Sequence, residues 1–142
     1  MSKALYTAQA RVTGGRDGRG STSDGKLDLD LRMPKELGGD GEGANPEQLF
    51  AIGYAACFGT TLALVGQRGE LKADDAEIDS RVSLIPIDGG RFKLGVELQI
   101  SLPSVAEEQA VELARTAHQV CPYSNATRDN IDVTLVVNGT RL

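Results

Sequence analysis

Asn45-Pro46-Glu47-Gln48-Leu49-Phe50-Ala51-Ile52-Gly53-Tyr54-Ala55-Ala56-Cys57-Phe58-Gly59-Thr60-Thr61-Leu62-Ala63-Leu64-Val65-Gly66 determines the architecture of this chain. Asn45 is a strong helix cap, and Pro46 suits the first helical position, where its missing N–H costs nothing. Gln48 stands where a capping box places its reciprocal acceptor. The residues that follow, to about Gly69, are apolar nearly all round. Such a helix is expected at the buried centre of a domain. Leu49 to Val65 carries no formal charge but is broken by Gly53, Gly59, Thr60 and Thr61. It falls short of the roughly 20 residues that span a bilayer.

On the N-terminal side, residues 4–13 read as a strand and Gly14-Gly15-Arg16-Asp17-Gly18-Arg19-Gly20 as a turn-rich connection. Lys26 to Met33 alternates, with Leu27, Leu29, Leu31 and Met33 on one face. On the C-terminal side, Lys72–Pro86 and Arg91–Leu102 predict a strand pair turning at Asp88-Gly89-Gly90. A second helix is expected from Ser104, with Glu107 as its capping-box partner and an apolar stripe of Val105, Val111, Leu113, Ala114, Ala117 and Val120. Cys121 to Thr127 reads as a break and Ile131–Val137 as a last strand. The expected class is α+β, antiparallel or mixed sheets around a buried central helix, in a single domain spanning 1–142.

At 142 residues the chain buries enough surface to fold without metal or disulfide staples. A net charge of −5 makes a nucleic-acid partner improbable, because such domains need a basic surface. The N-terminus lacks a secretory leader, and no membrane segment is read, so a cytoplasmic protein is expected. One His and two Cys are too few for a structural Cys/His zinc site or a disulfide scaffold, and no metal is expected. Gly38 to Gly43 lacks the Lys-Ser/Thr of a phosphate loop and contains Asp40 and Glu42.

Two thiols remain. Cys57 lies about twelve residues into the apolar helix, where a free cysteine is most often a small core hydrophobe. Apolar surroundings alone raise its pKa, so a reactive Cys57 needs a cation; Arg16, Arg19 and Arg68 are the candidates. Cys121 precedes Pro122 at a helix end, where an accessible or mobile position is expected. The residues are 64 positions apart, and in a reducing compartment a transient bridge suits them better than a static one. His118 is one helical turn from Cys121; a Cys–His pair and a solvated His in a last turn are both open.

The blocks Leu5-Tyr6-Thr7-Ala8, Gly14 to Gly18, Asn45 to Ala51, Gly53-Tyr54-Ala55-Ala56-Cys57-Phe58 and Val120 to Arg128, continued by Asn130-Ile131-Asp132-Val133, occur in one order along nearly the whole chain. In them the sequence resembles the organic hydroperoxide resistance (Ohr) family of the wider OsmC/Ohr group. The resemblance implies an intertwined homodimer and a cytoplasmic antioxidant peroxidase of the oxidative stress response. Its substrates would be alkyl and fatty-acid hydroperoxides, reduced to alcohols. It implies Cys57 as the peroxidatic cysteine, Cys121 as its resolving partner in a redox-active disulfide, and Arg16 as the activating cation held by Glu47. It further implies no bound cofactor, with a lipoyl group of a lipoylated protein as reductant. Phe50, Ile52, Tyr54, Phe58 and Met33 are candidates for an apolar substrate wall.

Glu47 and Cys57 are ten residues apart, about 15 Å along a continuous helix. Unless Arg16 spans much of that gap, a site containing both is expected to draw on a partner subunit. Three rivals stand beside this reading: a branch of the group with a different peroxide preference, a lipid-binding protein with structural thiols, and a cysteine hydrolase.

Overall fold

The computed structural model describes residues 2–142, which divide into two compact units, one ending at Leu49 and the other spanning Phe50–Leu142. In the first, β1 (Ala10–Thr13), β2 (Gly18–Thr22) and β3 (Asp28–Leu31) form an antiparallel meander. Ala10 pairs with Thr22 and Gly18 with Leu31. The first strand is shorter than the sequence predicts: its regular pairing with β2 ends at Ala10 and Thr22, with one further bond from the Ser23 N–H to the Gln9 carbonyl at 2.9 Å. Leu5 and Tyr6, beyond that register, are exposed. The third strand also shrinks: Leu31 is buried, while Leu27 is 48% exposed.

The turn joining β1 and β2 requires glycine. Gly14 and Gly15 both have positive φ (77° and 59°), and a side chain on Gly18 would collide with the Thr13 carbonyl. The Asp17 N–H closes the turn on the Gly14 carbonyl at 3.1 Å, and the Asp17 carboxylate accepts from the Met33 N–H at 3.0 Å. After β3 the chain loops back so that Leu31 bridges Ala44, delivering Asn45 to the helix start.

The helix α1 runs Pro46–Arg68. Its capping box forms as read: the Gln48 N–H donates to Asn45 Oδ1 (2.9 Å) and the Asn45 N–H to Gln48 Oε1 (3.2 Å). The expectation of burial on all sides is corrected. Tyr54, Phe58, Thr61, Leu62 and Gly66 are buried along one stripe, while Ile52 is 69% exposed and Leu49 and Leu64 also reach solvent. A helix packed on one sheet buries one face, and the second unit supplies no layer for the other. The estimate of its reach is corrected too. At 23 residues α1 is long and apolar enough, by length and composition, to cross a membrane. Its buried stripe nevertheless packs in a core of β-sheet side chains.

That sheet is mixed, in the order β4-β5-β6-β7. The strands β4 (Glu77–Ile87) and β5 (Arg91–Ser101) form the expected hairpin across Asp88–Gly90. The strand β6 (Val133–Val137) runs parallel to β5, and β7 (Thr140–Arg141) turns back on it. A parallel neighbour demands a crossover. Here α2 (Glu107–Val120) and α3 (Pro122–Thr127) supply it.

Two helix readings change. The cap of α2 lies two residues later than expected. Ala106 occupies the cap position without a side-chain bond, because the Ser104 hydroxyl donates to Asp75 Oδ2 at 2.6 Å. Its buried stripe is Ala110, Leu113, Ala114 and Ala117, with Val120 45% exposed. The expected break after Cys121 is in fact α3, with Pro122 in its first turn. Leu98, Ile100, Leu102, Leu135 and Val137 complete the core of the second unit.

Candidate active site

Arg16 projects from the glycine turn of the first unit and meets Glu47 in the first turn of α1. Nη1 donates to Oε1 at 2.7 Å and Nη2 to Oε2 at 3.1 Å, a two-pronged pair with both side chains largely shielded from solvent. The hydrogen bonds it donates to Glu47 raise the guanidinium pKa further, so Arg16 is a fixed cation. A carboxylate at Glu47 also suits the positive end of the helix. Arg19, by contrast, spends its guanidinium on Asp28 (2.8 Å) and Asp30 (3.2 Å) on an exposed strand face. Asp28 and Asp30, both exposed, are thus its cross-strand partners.

In the second unit, Cys57 is half-buried and Cys121 completely buried, both as free thiols. This corrects the expectation that Cys121 is accessible. It is the junction residue between α2 and α3, and the second helix starts at once, folding the side chain into the core. The two thiols are close neighbours. Burial pushes the Cys57 thiol above its ordinary range, the Tyr123 N–H pulls it back down, and adjacent Cys121 adds to the rise. Apolar surroundings thus act on Cys57 in the direction the sequence implies.

The aromatic candidates separate. Tyr54 and Phe58 have no exposed surface and belong to the core. Phe50 is half-buried and lies edge-on to Tyr54 (6.2 Å) and Tyr123 (5.8 Å). Ile52 points to solvent, and Met33, in the first unit, is half-buried. Gly53 makes room for Tyr123: a Cβ there would stand 2.5 Å from its hydroxyl. Among the described residues no group of three His, Cys, Asp or Glu side chains gathers as a metal site.

The sequence reading missed a cluster of hydroxyls around the Cys121 junction. His118 is half-buried rather than fully solvated; its Nδ1 lies 2.8 Å from Ser124 Oγ, which lies 2.7 Å from the Tyr54 hydroxyl. The Tyr54 hydroxyl also reaches Thr127 Oγ1 at 3.2 Å. Pro122 carried the missing signal, since proline at a first helical position predicts a helix there as it does at Pro46.

Burial, then the charge of Arg128, holds His118 below the ordinary histidine range. The folded state therefore keeps His118 neutral where the unfolded chain accepts a proton, and acid favours unfolding. Stability to urea is expected to fall as pH drops below about 6.5. His118→Asn is expected to flatten that part of the curve, and an unchanged slope would contradict the burial argument.

The second unit thus carries two neighbouring free thiols, and the first an arginine clamped by a carboxylate. A family model described as OsmC-like protein matches residues 39–136. An organic hydroperoxide resistance protein of Xanthomonas axonopodis pv. citri is 53% identical over 137 residues, covering 95% of this chain and 96% of its own. The crystal structure of OhrB of Bacillus subtilis superposes with a TM-score of 0.86 at 45% identity, covering 95% of this chain and all of the other. That of a Legionella pneumophila organic hydroperoxide resistance protein gives 0.91 at 49%, covering 95% and 98%. The chain belongs to the organic hydroperoxide resistance proteins of the OsmC-like family.

Proposed function

We propose that this protein is a cysteine-based peroxidase reducing organic hydroperoxides to alcohols. The observation that carries the reading is the pairing of Cys57 with Cys121, supported by the names of the relatives. The Cys57 thiolate attacks the distal peroxide oxygen, breaking the O–O bond. Cys57 becomes a sulfenic acid, and the alkoxide leaves as alcohol on protonation. The Cys121 sulfur then attacks the sulfenic sulfur, expelling hydroxide as water and leaving a Cys57–Cys121 disulfide. A dithiol, of which a protein-bound lipoyl group is the proposed example, reduces that bond in a reducing cytoplasm.

Arg16, aligned by Glu47, is proposed to supply the cation that stabilises the half-buried Cys57 thiolate. The enzyme is proposed to be a homodimer, a second copy covering the apolar face of α1 that carries Ile52 and Leu64 and completing each site. Phe50, Ile52 and Met33 keep surface with which to meet an alkyl chain.

Turnover of tert-butyl hydroperoxide is expected with dihydrolipoamide and to be much slower with thioredoxin. Hydrogen peroxide is expected to be the poorer substrate. Consumption with neither reductant defeats the mechanism, and a preference for hydrogen peroxide moves the protein to another branch of the group.

A further inference from the structure

The cluster of hydroxyls at the Cys121 junction is placed symmetrically about the two thiols. Tyr54 stands one turn before Cys57 on α1, and Ser124 one turn after Cys121 on α3. Their hydroxyls meet at 2.7 Å, and His118, one turn before Cys121 on α2, holds the far side of Ser124 at 2.8 Å. Three helices thus converge on the Ser124 hydroxyl. Tyr54 and Ser124 have no exposed surface, and Thr127 is 4% exposed.

The donors and acceptors can all be satisfied in one direction. His118 Nδ1–H donates to Ser124, Ser124 to Tyr54, Tyr54 to Thr127, and Thr127 to the Ser124 carbonyl at 3.3 Å. Arg128 fixes the His118 end by donating to the His118 carbonyl at 2.8 Å. Shape alone does not demand this chain, because Phe and Ala would fill the same space without burying hydroxyls. A buried, fully connected polar chain costs desolvation and returns a unique register between the elements it joins.

Register is what the second chemical step needs. A disulfide forms only when the Cβ atoms come within about 3.5–4.5 Å in the right orientation. Cys57 sits on a long rigid helix, whereas Cys121 sits at the joint of two separate helices. A shift of α3 along α1 misplaces Cys121 without moving Cys57.

We propose that His118 and Ser124 are positioning residues which, through Tyr54, hold the Cys121 junction in register with Cys57, so that Cys121 captures the sulfenic acid before a second peroxide oxidises it further. The inference rests on the reading of Cys57 as peroxidatic and Cys121 as resolving.

The test is single-turnover oxidation of the full-length reduced protein by tert-butyl hydroperoxide. Stopped flow follows the two steps, and intact mass after excess peroxide reports the products. In Ser124→Ala and His118→Ala, sulfenic acid formation is expected to proceed near the wild-type rate, while disulfide closure slows about tenfold, as for the loss of one net hydrogen bond. Sulfinic acid on Cys57 then accumulates in proportion. His118→Asn, whose amide reaches the place of Nδ1, is expected to restore closure.

Closure at the wild-type rate in both alanine variants overturns the proposal, and so does equal slowing of both steps, which marks a general loss of structure. If Ser124→Ala fails to fold, the half-buried His118 pair decides, with failure of the asparagine to rescue counting against the relay. Wild-type protein that forms no Cys57–Cys121 disulfide defeats the underlying reading and the relay with it. Normal wild-type closure with normal closure in the variants defeats the relay alone.

Discussion

Cys57→Ser is expected to abolish consumption of organic hydroperoxides, with a loss of about 10³-fold or more, as when a catalytic nucleophile is removed. The substitution exchanges one atom at a half-buried position, so the fold should persist and the loss report chemistry. A serine hydroxyl is not ionised near neutral pH and cannot accept oxygen to form a sulfenic acid, whereas a thiolate does both. Cys121→Ser gives the contrasting signature: one equivalent of peroxide is consumed rapidly per chain, leaving Cys57 as a sulfenic acid, which a second equivalent slowly oxidises to the sulfinic state. Consumption monitored by loss of hydroperoxide, with mass spectrometry of the protein, separates the two. A Cys57→Ser protein with wild-type consumption would favour the lipid-binding rival with structural thiols.

The fold was legible wherever a local rule sufficed. Asn45, Pro46 and Gln48 fixed the start of α1 because a capping box is closed by neighbours in sequence. Asp88-Gly89-Gly90 fixed the β4–β5 hairpin because its turn demands positive φ at Gly89 and Gly90. What escaped depends on partners distant in the chain. The extent of β1 is set by its pairing with β2, and Ser104 was lost as a cap because Asp75, 29 residues earlier, claims its hydroxyl. The parallel pairing of β6 with β5 has no signature within either strand.

α1 gave a subtler error. An apolar helix is evidence of cover, but its sequence does not say whether the cover belongs to the same molecule. Tyr54, Phe58 and Leu62 find it within the second unit, while Ile52 does not. The candidate site was read unevenly for the same reason. The Arg16–Glu47 fork came from the family resemblance and is realised in the structure, since the glycine turn and the capped helix start each hold one end. Tyr54, by contrast, looked like a substrate wall from its place beside Cys57 and proves to be core. Its hydroxyl partners, Ser124 and Thr127, lie 70 and 73 residues away.

Arg16→Met should cost nearly as much as loss of the thiol at neutral pH and much less in alkali. Burial drives Cys57 towards the neutral thiol, and the Tyr123 N–H opposes it only in part. Each unit by which a thiol's pKa rises above the ambient pH costs tenfold in thiolate, so losing the cation is expected to cost about ten- to a hundredfold in reactive thiolate at neutral pH. A lost hydrogen bond from guanidinium to peroxide adds about tenfold, giving 10²- to 10³-fold together. The first factor vanishes with rising pH and the second does not. The rate of Cys57 oxidation in the variant should keep climbing into the alkaline range, while the wild type levels off at lower pH. Glu47→Gln keeps the cation but exchanges the charged, two-pronged acceptor for a neutral amide. Its loss is expected to be about tenfold, with a smaller alkaline displacement of the profile. An Arg16→Met protein with the wild-type pH profile would instead assign thiolate stabilisation to the Tyr123 N–H at the Cys121 junction. The cation would then serve to hold the peroxide and not to ionise the thiol.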